Sequence, residues 1–434
     1  MIRLFKSKLF LLLTLLIMIV AGCGAPNATP DKGSSDGGGD GENVELTMWH
    51  IESSDLAIKV LEDAASRFEE KNPGVTVKVV KQENDPYKSK LVVAMGGANP
   101  PDVFHSWGGG WLKNFVDAGQ VKEITSDVDT DSYLEAALSA ATYDDKVYGA
   151  PLSMDVVPVW YNKEIFKKYN LEEPKTYEEL VEVVKTLKEN DVVPFSLANQ
   201  SKWPGSFYLM YLAERIGGPE LFNEAFERTG RTFDDTAYVE AGKKLQELVE
   251  LGAFPEGVNG MNYDTGQSRQ MLYTGKAAME VMGSWLIGSV RNELPEFEEK
   301  LGYFLFPSIE GGQGAGTDLV GGVSPVFSVS EQSKHQDLAA ALVKELTSKE
   351  TAEQMANTEG SIAAVKDVNY EDEFVKEMSG LLEQAEYMQT YYDQTLPPEL
   401  AEVHLDTTQG IFGGTTEPEE AMKAVEEKAK EVLK

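Results

Sequence analysis

Tryptophan is the residue type that this sequence places where a ligand could be bound. The chain has six tryptophans, and four of them end or follow predicted strands: Trp49, Trp107, Trp203 and Trp285. In open α/β sheets, ligands lie beyond the carboxyl ends of the strands. Indole faces suit the apolar C–H faces of a pyranose ring. The placement therefore favours a pocket for an uncharged, hydroxyl-rich ligand, although any one of the four tryptophans could instead be a core residue.

Polar side chains near the same strand ends could bind the hydroxyl edges of such a ligand. The further candidates for these contacts are His50, Ser106, Asn199, Asp318, Tyr391 and Asp393. Two carboxylates are singled out in addition, Asp102 and Asp155, of which Asp155 lies where a crossing between lobes is expected. Asp102 could instead cap a loop beside Pro100-Pro101. A solvated surface position is the alternative for any of the 72 acidic residues.

Known catalytic and metal-binding motifs are missing from the sequence. The four histidines are scattered without metal-ligand spacing: His50, His105, His335 and His404. There is no Gly-x-Ser-x-Gly motif, and Gly108-Gly109-Gly110 lacks the Lys-Ser/Thr of a phosphate loop. We expect no metal and no cofactor. A glycosidase needs only two carboxylates, so a sugar-cleaving enzyme stays open as an alternative.

The N-terminus predicts export and a lipid anchor. Arg3, Lys6 and Lys8 precede an apolar run at residues 9–20, which is too short to span a membrane and predicts a signal peptide over residues 1–22. Cys23 is the only cysteine, so no disulfide can form. The segment before it resembles a lipobox, which implies that the Cys23 thiol is acylated. An ordinary cleaved signal with an incidental cysteine is the alternative.

Composition predicts a tethered, globular and acidic protein. Residues 23–43 are rich in Gly, Ser, Asp and Pro and predict a flexible tether. The net charge of −33 argues against a nucleic-acid partner and against an anionic ligand attracted at long range. With 42% hydrophobic residues the chain can form a core. About 390 residues after the tether are too many for one core and predict two lobes.

The order of predicted elements gives the fold class. Residues 44–49 alternate apolar and polar and predict a strand, and Ser53–Asp55 predicts the start of a helix whose apolar face includes Leu56. Residues 75–80 predict a second strand. A strand–helix–strand unit of this kind predicts parallel pairing.

Similar units recur, and the end of the chain is helical. Further strands are predicted at residues 102–105, 157–161, 193–198, 277–282 and 301–306. Thr176–Glu179 forms a capping box, and Asp234-Asp235 caps a helix that Gly252 ends. Further helices are predicted near residues 87–95, 336–346, 349–357, 371–384, 398–411 and 417–433. We therefore predict an α/β fold of two lobes with a helical C-terminal tail.

Four segments carry a resemblance to a known family. They are Asn99-Pro100-Pro101-Asp102-Val103-Phe104, residues 147–151 through 160–166, Lys175-Thr176-Tyr177-Glu178-Glu179-Leu180, and residues 273–279 with Gly283-Ser284-Trp285. In this order the chain resembles the sugar-binding lipoproteins of ABC importers, the group that includes maltodextrin-binding protein. The resemblance covers essentially the whole chain after the tether.

The resemblance implies a periplasmic-binding-protein-like fold and no enzymatic activity. One lobe would comprise residues 44–153 plus 312–360, and the other residues 154–311 plus 361–434. Trp107, Trp203, Trp285 and Asp155 would border the cleft, with residues 359–361 near it. The implied partners are permease subunits of an ABC importer and, through the anchor, the outer face of a Gram-positive type of cell membrane. We expect a monomer.

A narrower likeness suggests the ligand. Residues 199–205, the predicted turn at Arg215-Ile216-Gly217-Gly218, residues 391–413 and Glu417-Pro418 are similar to binders of raffinose-type or xylan-derived oligosaccharides. A neutral di- to tetrasaccharide is the expected ligand. Three alternatives stay open: a lipid-anchored glycoside-acting enzyme, an adhesin for intact glycans, and the same fold with a peptide, polyamine or metal ligand.

Overall fold

The computed structural model describes residues 43–433. The predicted signal peptide, Cys23 and nearly all of the predicted tether lie outside these residues. Within them, no helix is both long enough and apolar enough to cross a bilayer.

The strands are short. In chain order they are β1 Val44–His50, β2 Val75–Lys81, β3 Val103–Ser106, β4 Thr142–Tyr143, β5 Lys146–Val147, β6 Ala150–Pro151, β7 Ser153–Val156, β8 Val159–Asn162, β9 Val193–Phe195, β10 Ala277–Val281, β11 Leu301–Phe304, β12 Leu319–Val323, β13 Val326–Val329, β14 Ile362–Ala363 and β15 Met388–Thr390.

Helices make up much of the remainder. In chain order they are α1 Asp55–Lys71, α2 Asn84–Met95, α3 Gly109–Asp117, α4 Glu135–Ser139, α5 Lys163–Tyr169, α6 Tyr177–Glu189, α7 Trp203–Gly217, α8 Glu220–Glu227, α9 Thr236–Glu250, α10 Gln267–Tyr273, α11 Leu286–Glu293, α12 Gln336–Leu346, α13 Lys349–Glu359, α14 Glu373–Gln384, α15 Tyr392–Thr395, α16 Pro398–Phe412 and α17 Pro418–Val432.

The first lobe is built on the sheet β2-β1-β3-β13-β6. β1 pairs in parallel with β2 and with β3, which confirms the predicted strand–helix–strand unit. β13 pairs antiparallel to β3, with Phe327 opposite His105. The sequence analysis did not predict β13, because its partner strand lies far away in the sequence and its four residues carry no alternating pattern.

The second lobe is built on the sheet β11-β8-β10-β9. β9 and β10 pair in parallel, but β8 is antiparallel to both of its neighbours. The expectation of repeated parallel units is therefore wrong for β8. Its partners β10 and β11 come more than a hundred residues later in the chain, so the local strand–helix order does not determine the direction of β8.

A third sheet, β14-β7-β12-β15, lies where the chain passes between the lobes, and we call it the linking sheet. β7 follows β6 of the first lobe and precedes β8 of the second, and β12 leads into β13 of the first lobe. β7 and β12 are antiparallel, with Asp155 opposite Gly322. The chain thus has the predicted two-lobed α/β architecture, while the lobe limits given above stay predictions.

Local signals placed several helices correctly. Ser54 caps α1 by accepting hydrogen bonds from the backbone N–H groups of Leu56 and Ala57. The predicted capping box of Thr176 and Glu179 opens α6. On α1 the predicted apolar face is buried except at Leu56, which is 38% exposed because it lies in the first turn, at the surface end of the helix.

The C-terminal half also follows the prediction closely. Asp235 caps α9, and Gly252 follows the helix with φ +71°. The five predicted C-terminal helices correspond to α12, α13, α14, α16 and α17, with Pro418 at the start of the last.

One helix next to the candidate site was missed. Trp203 was predicted to lie in a loop, but it is the first residue of α7. The helix continues to Gly217, so the turn predicted at residues 215–218 is wrong for its first three residues. Only Gly218, with φ +75°, lies beyond the helix and ends it. α7 is buried on nearly every face. Without a polar face it lacks the 3.6-residue periodicity that reveals a surface helix.

Candidate functional site

Five aromatic side chains meet on the second lobe and form what we call the aromatic cluster. Its members are Trp203, Phe207, Tyr263, Trp285 and Tyr391. The ring centroids of Trp203 and Trp285 are 6.1 Å apart, and those of Trp203 and Tyr263 are 4.8 Å apart. Phe207 and Tyr391 complete the cluster at 5.3 Å from each other. The two indoles are half-buried, so the cluster offers aromatic faces at the surface of a core.

Element ends position the cluster. Trp203 begins α7, Trp285 directly precedes α11, and Tyr391 directly precedes α15. Gly283 is needed for the fold of the second indole, because a Cβ atom there would lie 2.0 Å from the Trp285 ring. Two of the four predicted tryptophans are therefore brought together at the ends of a strand and a loop.

An unusual backbone turn precedes Trp203. Lys202 has φ +70° and ψ −40°, and the backbone N–H of Trp203 donates to the carbonyl oxygen of Ser201 at 2.8 Å. These values correspond to a strained γ-turn. The Lys202 ammonium pairs with Glu402 and with Asp406, at 2.5 Å from the latter carboxylate. Ion pairs to α16 thus hold the residue that directs Trp203 into the cluster.

Asn199 shapes this loop from inside. Its side-chain carbonyl accepts a hydrogen bond from the backbone N–H of Gly205 at 3.1 Å. Its amide nitrogen donates to Asn259 Oδ1 at 2.8 Å. Asn199 is fully buried, so its polar atoms serve the loop that carries Trp203.

Asp155 lies on the linking sheet beside the cluster. It is 5% exposed, and its carboxylate accepts a hydrogen bond from Ser284 Oγ at 3.2 Å. Burial raises the pKa of Asp155 to about 7, against the opposing effect of the Ser284 hydrogen bond. The Tyr391 ring covers Gly322, the residue opposite Asp155, since a Cβ atom there would lie 2.5 Å from it. Within the described residues the Tyr391 hydroxyl has no hydrogen-bond partner.

Two further carboxylates approach the same region from the first lobe. Glu359, at the end of α13, accepts a hydrogen bond from Ser54 Oγ at 2.6 Å. Its other oxygen lies against α11 of the second lobe, because a Cβ atom on Gly288 would be 2.1 Å from it. Glu52 follows β1 and is half-buried. Burial, together with the charges of Glu359 and Asp155, raises the pKa of Glu52 to about 8. We call Glu52, Asp155 and Glu359 the acidic group.

The candidates on β1 and β3 lie inside the first lobe. Trp49 is within β1, not beyond its end, and is half-buried. His50 is 1% exposed and accepts a hydrogen bond from the backbone N–H of Glu52 at 3.2 Å. Burial and the nearby Lys81 charge lower the pKa of His50 to about 4, so it is neutral at physiological pH. Ser106 Oγ donates to the carbonyl oxygen of Val326 at 3.1 Å, inside the sheet.

Trp107 does not join the aromatic cluster. It is 7% exposed and packs edge-on against Tyr87, His105 and Trp111, the last at 5.1 Å. Trp107 is therefore a core residue, as are Trp111 and Trp160, the two tryptophans that do not follow predicted strands.

Asp393 and Asp318 have structural partners. Asp393 pairs with Lys88 at 2.9 Å, which joins α15 to α2 of the first lobe. Asp318 is 2% exposed and accepts a hydrogen bond from the backbone N–H of Ala315 at 2.9 Å. Its backbone carbonyl accepts a hydrogen bond from the buried Arg215 at 2.8 Å.

Asp102, the other carboxylate singled out from the sequence, also serves the fold. It accepts hydrogen bonds from the backbone N–H of Thr47 at 2.9 Å and from Ser333 Oγ at 2.5 Å. This is close to the capping role given above as its alternative.

Comparison with known proteins decides the family. The model of the bacterial extracellular solute-binding protein family matches residues 54–353. The chain belongs to this family. Its members bind solutes outside the cytoplasm and are not enzymes, which removes the glycoside-acting alternative.

Individual relatives of this solute-binding protein share modest identity over long stretches. An uncharacterized ABC transporter extracellular-binding protein from Pyrococcus horikoshii is 27% identical over 304 residues, 66% of each chain. The galactooligosaccharide-binding protein of Bacillus subtilis is 25% identical over 445 residues, 99% of this chain and 97% of that one. A structure from work on xylan utilization by Caldanaerobius polysaccharolyticus is 30% identical, with a TM-score of 0.83 over 89% of this chain and all of that one.

Three side chains that lie at the site of this solute-binding protein, Glu52, Tyr263 and Phe207, were not predicted from the sequence. Glu52 follows β1, so the rule that selected Trp49 and His50 could have found it. Tyr263 lies in a loop, and Phe207 lies on a helix without a polar face, so neither carries a pattern that marks it.

The site of this solute-binding protein offers aromatic faces and carboxylate oxygens. Within residues 43–433, no group of His, Cys, Asp and Glu side chains is arranged to hold a metal ion. A separate hollow of about 1010 Å³ lies outside the site, and its lining includes Trp111, Phe115, Phe226, Pro397 and Leu433. The chemistry of the site is therefore that of stacking and hydrogen bonding.

Proposed function

We propose that this solute-binding protein captures a neutral oligosaccharide between its lobes and delivers it to the permease of an ABC importer. One observation carries the proposal: Trp203 and Trp285, at the ends of their elements, meet Tyr263 of a loop beside the buried carboxylate of Asp155. Aromatic faces suit sugar rings, and carboxylate oxygens accept hydrogen bonds from sugar hydroxyls.

The named relatives support a sugar ligand. The Bacillus subtilis relative is a galactooligosaccharide-binding protein, and the structure at 30% identity comes from work on xylan utilization. Within this class, we infer a raffinose-type oligosaccharide or a xylo-oligosaccharide of two to four units. The likeness of residues 199–205 to binders of these sugars supports this inference, and the loop at residues 199–202 sets the position of Trp203.

Closure of the two lobes around the ligand is the proposed mechanism. The aromatic cluster on the second lobe binds the sugar first. The first lobe then brings Glu52 and Glu359 to it, and the closed state is favoured by contacts to both lobes. Helix α11 packs against both α1 and α13, so the lobes already touch beside the site. The lobe limits at residues 153/154, 311/312 and 360/361 belong to this proposal.

The proposed location is the outer face of a Gram-positive type of cell membrane. Acylation of Cys23 after removal of residues 1–22 would supply the anchor, and residues 23–43 would supply the reach. We propose that the protein works as a monomer.

Isothermal titration calorimetry of the soluble domain tests the binding function. The panel comprises raffinose, stachyose, xylobiose, xylotriose and xylotetraose. At least one of these sugars is expected to bind. Trp203→Ala is expected to reduce the affinity for that sugar by roughly 10- to 100-fold, because stacking of a flat ligand ring on an aromatic side chain, as measured for nucleic-acid bases, is worth about 1–3 kcal/mol. Tyr169→Ala, a half-buried aromatic at the end of α5, is the matched control. Unchanged affinity of the Trp203 variant would remove Trp203 from the site.

A further inference from the structure

Three carboxylates converge on one region from three separate elements. Glu52 follows β1, Asp155 lies on β7, and Glu359 ends α13. Asp155 accepts a hydrogen bond from Ser284, Glu359 lies against Gly288 one helical turn further along the chain, and the charges of both raise the pKa of Glu52. Asp155 and Glu359 are only 5% and 7% exposed. Water therefore screens their charges weakly.

Neighbouring cations are bound elsewhere. Arg291, whose charge lowers the pKa of Glu359, pairs with Asp372 at 2.6 Å and with Glu298 at 2.7 Å. His50 is neutral, and Lys81 acts on it from the exposed edge strand β2. Among residues 43–433, no salt bridge joins a cation to any member of the acidic group. Once its members are ionised, which for Glu52 requires a pH above its raised pKa of about 8, no direct ion pair from the described residues neutralises the group.

A buried hydroxyl points to a ligand in the same place. Tyr391 is 2% exposed, and its hydroxyl has no partner among the described residues. Its ring lies over Gly322, opposite Asp155, and the Asp155 charge acts on it. An unpaired buried hydroxyl is costly, so a polar ligand atom between Tyr391 and Asp155 would satisfy both groups.

We propose that the acidic group sets the charge selectivity of the site, admitting neutral and amine-bearing sugars and excluding sugars that carry a carboxylate. This inference rests on the proposed function and specifies its substrate class. Sugar hydroxyls and ammonium groups donate hydrogen bonds to carboxylates. At a pH above the raised pKa values of Glu52, about 8, and Asp155, about 7, a uronic acid would bury a fourth negative charge without a cation, which is strongly unfavourable.

Calorimetry with matched ligands at pH 8.5 tests the inference. The probes are xylotriose, xylotriose carrying a glucuronosyl branch, raffinose, raffinose oxidised to a carboxylate at the galactose C6, and raffinose with an amino group at that carbon. The neutral or amine form is expected to bind at least tenfold more tightly than its carboxylate partner, as expected for like charges at short range.

Variants assign the selectivity to the acidic group. Glu52→Gln keeps the shape of the side chain. It is expected to reduce the ratio of the affinity for the neutral sugar to the affinity for its carboxylate form by about 3- to 10-fold. Glu70→Gln makes the same charge change at an exposed position of α1 and is expected to leave the ratio unchanged.

The possible outcomes separate the two proposals. Equal affinity for neutral and carboxylate forms would overturn the charge selectivity and leave sugar binding intact. An unchanged ratio in Glu52→Gln would overturn the role of the acidic group. A protein that binds none of these ligands, nor any other member of the oligosaccharide panel, would overturn the proposed function and this inference with it.

Discussion

Trp285 Nε1 donates a hydrogen bond to the hydroxyl oxygen of Tyr263 at 2.8 Å. The Tyr263 ring in turn packs edge-on against Trp203, at 4.8 Å between centroids. Tyr263 therefore fixes one indole by a polar contact and the other by an apolar one. The orientation of both tryptophans depends on this single side chain from a loop.

Replacing Tyr263 separates these two contacts. Tyr263→Phe removes the hydroxyl and keeps the ring, so Trp203 retains its neighbour while Trp285 loses its acceptor. We expect the affinity for a bound oligosaccharide to fall about 3- to 10-fold, the range of one hydrogen bond. Tyr161→Phe, which removes a hydroxyl that bonds Glu173 at the surface, is the control. Equal affinity of the Tyr263 variant and wild type in calorimetry would show that the bond does not orient Trp285 for binding.

Gly288 allows the second lobe to approach Glu359. In Gly288→Ala the new Cβ atom would lie 2.1 Å from a Glu359 carboxylate oxygen and 3.2 Å from the Glu359 backbone oxygen, so the carboxylate must turn away from Ser54 and α11 must shift from the end of α13. We expect sugar affinity to fall about tenfold or more, and the ligand-bound radius of gyration in solution scattering to stay near the ligand-free value. Gly380→Ala on α14 has room for its Cβ atom and is the control. A Gly288 variant that closes normally would contradict the contact.

Lys202 can be tested for backbone strain by two substitutions at one position. Both Lys202→Ala and Lys202→Gly lose the ion pairs to Glu402 and Asp406, but only glycine adopts φ +70° freely. We expect the alanine variant to be less stable than the glycine variant by about 1 kcal/mol in urea unfolding. We also expect it to bind sugar more weakly. Identical behaviour of the two variants would mean that the turn stores no strain.

The acidic group makes stability depend on pH. A carboxyl whose folded pKa is raised favours the folded state most when it is protonated, below its unfolded pKa. Its contribution is lost as the pH rises from the unfolded pKa of Glu52, near 4.5, towards its folded pKa of about 8. We expect these two carboxyls to lower the free energy of unfolding between pH 5 and pH 8.5, Asp155 up to about pH 7, while His50, with its folded pKa lowered to about 4, raises it up to about pH 6.5.

Glu52→Gln should remove part of this fall. Because Glu52 is half-buried, we expect the decline in the variant to be smaller by only about 1–2 kcal/mol, measured by urea unfolding at both pH values. Glu70→Gln should follow wild type. A decline of the same size in the Glu52 variant would show that its carboxyl is not destabilised in the folded state.

Local signals made much of the fold predictable. Ser54 caps α1, and Thr176 with Glu179 caps α6, because such bonds form between near neighbours in sequence. Short strands were harder. β13 is four residues long and pairs with β3 across a long stretch of chain, so its position depends on tertiary packing that no local pattern encodes.

The candidate site was only partly predictable, because its side chains also depend on packing between distant parts of the chain. The strand-end rule selected Trp285 and Trp107 alike, yet only Trp285 joins the aromatic cluster, because Tyr87 and Trp111 pack around Trp107. Whether an indole at a strand end turns inward depends on side chains contributed from elsewhere. Asn199 illustrates the same limit, since its polar atoms bond the loop itself.

The position of Asp155 on the linking sheet has a kinetic consequence. In the proposed closure the lobes rotate about the linking sheet, so a residue on that sheet would keep its distance from both lobes throughout the motion. A sugar hydroxyl hydrogen-bonded to Asp155 would keep this bond in the open and in the closed state. A hydroxyl that bonds Glu359 would gain its bond only when the lobes have closed. Removing the Asp155 carboxylate would thus lower the association rate of the sugar, and removing the Glu359 carboxylate would raise its dissociation rate.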